Sequence, residues 1–204
     1  MSQVTTGLLS LLSVPLVYET FQHLMGAHEG RKTFVSRFIE PYPVNTILDI
    51  GCGPAGILAY LPDVDYYGFD ISESYIAKAK ETYGSKGHFF AKQITDDDID
   101  SLPEFDVVLL SGVLHHVDDG TAVQILKLAY QALKPGARLI TIDGCLVEGQ
   151  NIFARYLIKH DRGKNIKTED GYVELARNVF EDVDSYIHHR TWIPYTLCYM
   201  VCTR

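Results

Sequence analysis

The chain has 204 residues, 47% of them apolar and 22% charged, a balance that suits one soluble globular domain and excludes a disordered chain or a collagen-like fibre. Eighteen basic residues against 26 acidic ones leave a net charge of -8, which repels phosphate backbones and makes nucleic acid a poor partner. A chain this long buries about 70% of its unfolded surface without disulfides or metals.

Residues 5–13 and 17–40 read as helices, ended by Pro41 and Pro43. The apolar stretch from Leu8 to Val17 is broken by Ser13 and Pro15, has no Lys or Arg before it and is too short for a bilayer, so neither a secretory signal nor a membrane span is expected. Thr46 to Ile50 is a short apolar strand, followed by a Gly-rich turn and a short helix ending near Leu61. Val64 to Asp70 is a second strand, and Ser72 caps a helix that runs to Thr82. His88 to Ile94 is a third strand. The acidic run Asp96 to Asp100 reads as a solvated loop, lacking the alternation and Gly of a calcium loop. Phe105 to Ser111 is nearly continuous apolar, as a buried parallel strand requires. Asp118 to Leu133 is an amphipathic helix stopped by Pro135-Gly136, and Ala137 to Asp143 is a fifth strand. Residues 150–160 and 169–179 read as helices, and Val183 to Arg190 and Pro194 to Cys202 alternate like an antiparallel closing pair.

Alternating strands and helices predict an α/β fold: a Rossmann-like, doubly wound, seven-stranded, mostly parallel sheet with an antiparallel last strand and N-terminal helices. The whole chain, 1–204, reads as one domain, with residues 1–44 as a helical lid on a core of residues 45–204. Ligands of such sheets bind beyond the carboxyl ends of the strands, after Ile50, Asp70, Ile94, Ser111 and Asp143. Cys52, Cys145, Cys198 and Cys202 form no CxxC pair or zinc spacing and read as thiols of a cytoplasmic protein. The eight histidines show no metal-ligand spacing, so no metal is expected.

Gly51, Gly53 and Gly56 form G-x-G-x-x-G between a strand and a helix, and Asp70 ends the next strand, 19 residues after Gly51. A carboxylate there accepts hydrogen bonds from both hydroxyls of a ribose. NAD and S-adenosylmethionine both carry such a ribose. Asp49, two residues before Gly51, separates them: it repels a pyrophosphate at the helix N-terminus but attracts an ammonium. An NAD(P)-dependent oxidoreductase and a non-catalytic cofactor-binding relative remain the alternatives to an enzyme of methyl transfer.

The segments Ile47 to Pro54, Gly68 to Ser72, Phe105 to Val117 and Leu133 to Leu139 resemble, in order, four motifs of the class I S-adenosylmethionine-dependent methyltransferases, of the type acting on small molecules. The resemblance implies S-adenosylmethionine as cofactor. Gly51, Cys52 and Gly53 would pass its methionyl part, with Asp49 near the amino group. Asp70 would hold the ribose and Ile71 pack on the adenine. Gln93 or Ile94 would serve the adenine edge, and Ser111 and Gly112 the inner side. Tyr18 and Arg31 are candidates for the carboxylate. His115 is the candidate general base, matching the histidine of small-molecule O-methyltransferases, against the reading in which His115 and His116 simply pack in a following helix. Asp143 is a candidate for orienting the acceptor. Residues 8–28 and 145–172, with Tyr18, Phe21, Phe153, Tyr156 and Tyr172, would line an acceptor pocket, flanked by Tyr195 and Arg162. The motifs of methyltransferases acting on DNA bases or protein arginine, and the metal-binding Asp of catechol-type enzymes, have no counterpart after the fourth strand, where Ser111 to Leu114 stand. The acceptor is therefore expected to be a small molecule methylated at O or N.

Overall fold

The structure, a computed structural model, describes residues 27–159, 163–190 and 194–204. Its elements are α1 (Ala27–Phe38), β1 (Thr46–Ile50), β2 (Asp65–Asp70), α2 (Glu73–Tyr83), β3 (His88–Ala91), α3 (Asp96–Ser101), β4 (Phe105–Ser111), α4 (Asp119–Ala132), β5 (Leu133–Leu146), α5 (Ile152–Lys159), β6 (Lys167–Thr168), α6 (Glu169–Arg177), β7 (Asp182–Arg190) and β8 (Tyr195–Thr203). The strands lie in the order β3-β2-β1-β4-β5-β8-β7, and the two-residue β6 pairs with β5. Strands β1 to β5 are mutually parallel, whereas β8 is antiparallel to both β5 and β7. Strand order reverses between β1 and β4, so a crevice opens at their carboxyl ends.

Alternation along the central strands divides the core into two layers. Ile47, Val107 and Leu109 pack with Phe34 and Phe38 of α1 and Ile76 and Ala79 of α2. Leu48, Val108 and Leu110 pack with Ala122 and Leu126 of α4 and Tyr172 and Leu175 of α6. Asp49 shares the α1 face with Ile47, and its carboxylate is thereby buried rather than solvated.

Four local expectations are corrected. No helix follows the glycine turn. Gly51, Gly53 and Ala55 have φ of 77°, 55° and 54°, which a right-handed helix cannot contain, and residues 52–61 form successive turns instead. The third strand ends at Ala91, before Gln93 and Ile94. The acidic run is helix α3: Asp98 accepts from the Thr95 N–H at 3.1 Å and its hydroxyl at 2.9 Å, and three Asp in the first turn complement the helix dipole. Pro135-Gly136 lies inside the β5 segment, in an irregularity of register between Phe105 and Val107, after α4 has already ended at Ala132. The helices expected at 5–13 and before residue 27, with Tyr18, Phe21 and the first part of the lid, lie outside the described residues, as does Arg162.

Candidate active site

The β1–β2 side of the crevice is built largely from main chain. Gly51 and Cys52 donate to the Phe69 carbonyl at 2.7 and 3.0 Å, which folds the loop over the end of β2. A Cβ at Gly51 would meet Val113 at 2.6 Å, so only glycine fits there. Asp70 accepts from the Gly53 N–H at 2.9 Å through one oxygen and from the Ser72 N–H at 2.8 Å through the other. Burial raises its pKa, and those two N–H groups oppose the rise. Asp49 accepts from the Tyr66 hydroxyl at 2.6 Å through Oδ2, while among the described residues no donor reaches Oδ1. Burial, ahead of the Asp70 charge, pushes its pKa up to about 7 against the Tyr66 hydrogen bond and the Arg31 charge. The same burial, with Asp49 and Asp70 beside it, pushes the Cys52 thiol up.

The β4–β5 side is built from side chains. A single 3-10 turn, Leu114–His116, follows β4, where the alternative reading of the histidine pair had a helix. It sets the two imidazoles with centroids 4.1 Å apart and planes tilted by 40°. His115 is 6% exposed, and its Nδ1 lies 2.7 Å from Asp143 Oδ1, which also accepts from the His115 N–H at 3.2 Å. Burial raises the Asp143 pKa; the hydrogen bond and charge of His115 counter it. Gly163 lies flat against the His115 ring, and Asn165 N–H donates to the His115 carbonyl at 3.0 Å.

A cleft of about 300 Å³ runs between these two sides. Residues 48–139 match the family described as a methyltransferase domain. The chain is 29% identical over 117 residues to myricetin 3'/5'-O-methyltransferase 1 of Solanum habrochaites, and 36% identical over 108 residues to O-methyltransferase SfmM3 of Streptomyces lavendulae. Those matches cover 53% and 50% of this chain but only 30% and 31% of the two relatives, so the chain spans about a third of their length. Its fold matches the S-adenosylmethionine-dependent methyltransferase SibL with a TM-score of 0.70 at 18% identity, over 91% of this chain and 58% of that one. Residues 48–139 thus carry a methyltransferase domain, the family that the four sequence motifs resemble.

The residues of the cleft fit S-adenosylmethionine, the cofactor that the sequence resemblance implies. The orphaned, buried Oδ1 of Asp49 is an acceptor in want of a cation or donor. Nothing lies within 4 Å of the direction a Cβ would take at Gly53, which leaves the loop open to a ligand. Ile71, 51% exposed at the rim, offers an apolar surface to a flat ring. Of the residues expected to bind it, Gly51, Gly53, Asp70, Ile71, Gln93, Ile94, Ser111 and Gly112 all line the cleft. Asp49, which is buried, and Cys52 are not among the residues that line it. Arg31 packs its guanidinium on Gly56, 3.0 Å from where a Cβ would stand, close enough to act on Asp49. The lining also includes Tyr75, Lys92, His116 and Ile125, which the sequence reading missed. Tyr75 was accessible, since it stands in the first turn of the helix capped by Ser72. The imidazole in the cleft wall is that of His116; His115 stands behind it on Asp143.

On the acceptor side, Tyr172 is fully buried and donates its hydroxyl to the Gly144 carbonyl at 2.9 Å, so it is a core residue and not a pocket wall. Tyr195 packs over Gly144, where a Cβ would meet its hydroxyl at 2.7 Å. Phe153 and Tyr156 on α5 are 66% and 60% exposed. Among the described residues no group of His, Cys, Asp or Glu is arranged to hold a metal, and no helix is long and apolar enough to cross a membrane.

Proposed function

We propose that the chain transfers a methyl group from S-adenosylmethionine to an oxygen of a small, partly apolar molecule, with His115 as general base and Asp143 as its positioning partner. The buried His115–Asp143 pair at the carboxyl ends of β4 and β5, one ring behind the cleft wall, carries the reading. A proton on Nδ1, donated to Asp143 across that 2.7 Å contact, would fix the tautomer in which Nε2 accepts. When bound, S-adenosylmethionine supplies a methyl already activated on a sulfonium. The chain's own work is to hold the ribose on Asp70 and the amino group by Asp49, to keep water out, and to take the acceptor hydroxyl's proton at Nε2. The imidazolium so formed rests on the Asp143 carboxylate in a buried setting, where that pairing is strong.

The names of the two relatives put the methyl on oxygen, which favours O over N. The exposed Phe153 and Tyr156 after β5 suit an aromatic acceptor. Thiols without a disulfide among the described residues and the net charge of -8 suit a reducing cytoplasm and no nucleic-acid partner.

The test is calorimetric titration with S-adenosylmethionine, S-adenosylhomocysteine and NAD, followed by labelled methyl transfer to a panel of simple phenols and amines. The reading expects binding of both adenosyl ligands, none of NAD, and label in phenols. Binding of NAD alone, or label only in amines, would sink it.

A further inference from the structure

The sheet ends on β7, which pairs along its whole length with β8; no strand among the described residues pairs with its outer edge. Nine residues at about 3.4 Å each make an open edge of about 30 Å, a template for another strand. Its side chains alternate. Val183 and Ile187 pack into the core, and Ser185 donates to Glu169 of α6 at 2.7 Å. Asp182, Asp184, Tyr186, His188 and Arg190 lie on the opposite, α1 face. There Tyr186 meets Phe38 and lies 4.9 Å below the Arg37 guanidinium, and Arg190 rests on Gly30.

The order of charges on that face is self-complementary. Read from either end towards Tyr186, acids on one side mirror cationic or hydrogen-bonding residues on the other: Asp182 against Arg190, Asp184 against His188. We propose that β7 pairs antiparallel with β7 of a second copy of this chain, across a two-fold axis at Tyr186, extending both sheets into one.

This register opposes the most unlike groups. A slip by two residues keeps only Asp182 against His188, or Asp184 against Arg190, a slip by four puts Asp184 against Asp184 or His188 against His188, and a slip by one sends Val183 and Ile187 to the wrong face. At the axis each Tyr186 has the other copy's Asp184 as a diagonal neighbour, within reach of the Arg37 that already sits over Tyr186. A chain with net charge -8 resists indiscriminate association, so local complementarity of this kind decides which edge joins which. One strand pair with helices alongside is a small isologous contact, and a concentration-dependent dimer follows.

Sedimentation equilibrium of the whole chain from about 5 to about 500 µM is expected to show a monomer–dimer equilibrium. The double variant Asp182→Lys, Asp184→Lys should raise the dissociation constant by about tenfold or more, as should His188→Glu, Arg190→Glu, and mixing the two should restore a heterodimer. Since Arg190 packs on α1, an independent pair of variants tests the register without it. Tyr186→Cys should cross-link to itself under oxidised glutathione, because directly opposed positions have Cβ atoms about 5 Å apart, whereas Asp182→Cys, roughly 27 Å from its copy, should not. A monomer throughout the range, a dimer indifferent to the lysine variant, or equal cross-linking at both cysteines would overturn the proposal.

Discussion

The two walls of the cleft hold their acids by different means. Asp70, on the β2 side, is fixed by two main-chain N–H groups, from Gly53 and Ser72. Asp143, on the β5 side, is fixed by His115, 28 residues away in sequence, through its imidazole as well as its main-chain N–H, under the cover of Gly163. The first arrangement is rigid whatever side chains surround it, and suits a ligand that is the same at every turnover. The second depends on a tautomer and on burial, and suits a proton in transit. Changes to one wall should therefore alter cofactor affinity, and changes to the other should alter turnover.

The largest effect is expected at His115. His115→Gln should lower kcat about 10²- to 10⁴-fold, with the S-adenosylmethionine Kd unchanged. Gly163→Ala should act in the same direction, since its Cβ would strike the His115 ring and come within 2.7 Å of the His115 carbonyl. Loss of cofactor binding with either variant would dissolve the division between the walls. Asp70→Ala comes next. It removes charge-assisted hydrogen bonds of about 1.5–3 kcal/mol each, so calorimetry should find Kd about 10²-fold weaker or worse. An Asp70→Ala protein that binds normally but turns over slowly would reverse the assignment.

The same division explains what was legible in the sequence. The first wall is local: a strand end, a glycine turn and a capping serine, each set by neighbours within a few residues. Gly51, Gly53, Asp70, Ser111 and Gly112 could be assigned before any fold was known, and all line the cleft. The second wall comes from pairing β4 with β5, so the partnership of His115 with Asp143 was invisible while each residue could be named alone. Which imidazole faces the cleft depends on a 3-10 turn rather than an α-helix, and period alone does not distinguish those over three residues. Helix α3 was missed because its acids resemble a solvated run; the signal was Thr95 three residues before Asp98.

Asp49 sharpens the comparison through pH. Its pKa is raised to about 7 from 3.8, so between pH 4 and 7 the folded chain binds a proton that the unfolded chain has released. Its contribution to stability is full below about pH 4 and falls as pH rises through 7, by about 4 kcal/mol in all. Asp70 and Asp143, also raised, work in the same sense, while His188, lowered chiefly by burial and then by the Arg190 charge, works against it near pH 6.5. The ligand-free melting temperature should therefore fall from pH 5 to pH 8, and Asp49→Asn should flatten that slope. An ammonium placed at Asp49 favours the ionised acid. Cofactor affinity should then rise by about tenfold per unit up to pH 7 and level off, with proton release seen when calorimetry is repeated in buffers of different ionisation enthalpy. A cofactor Kd independent of pH over that range would move the amino group away from Asp49.

Asp98 is the counter-case and the smallest effect. Against a desolvation that raises its pKa, hydrogen bonds from Lys92 and Thr95 hold this surface acid below the usual range, so it stays ionised from pH 5 to 8 and adds no slope there. Asp98→Ala removes the acceptor of the Thr95 N–H and hydroxyl and should cost about 1 kcal/mol, or about 2–4 °C in melting temperature for a chain of this size. Thr95 directly follows Ile94, which lines the cleft, so the variant also asks whether α3 anchors the adenine side. Because Ile94 is held by the core around Leu110 and Ile125 rather than by the cap, the cofactor Kd should change by less than about twofold. A tenfold loss would mean that α3 is part of the binding wall, and that this wall too relies on a side-chain contact.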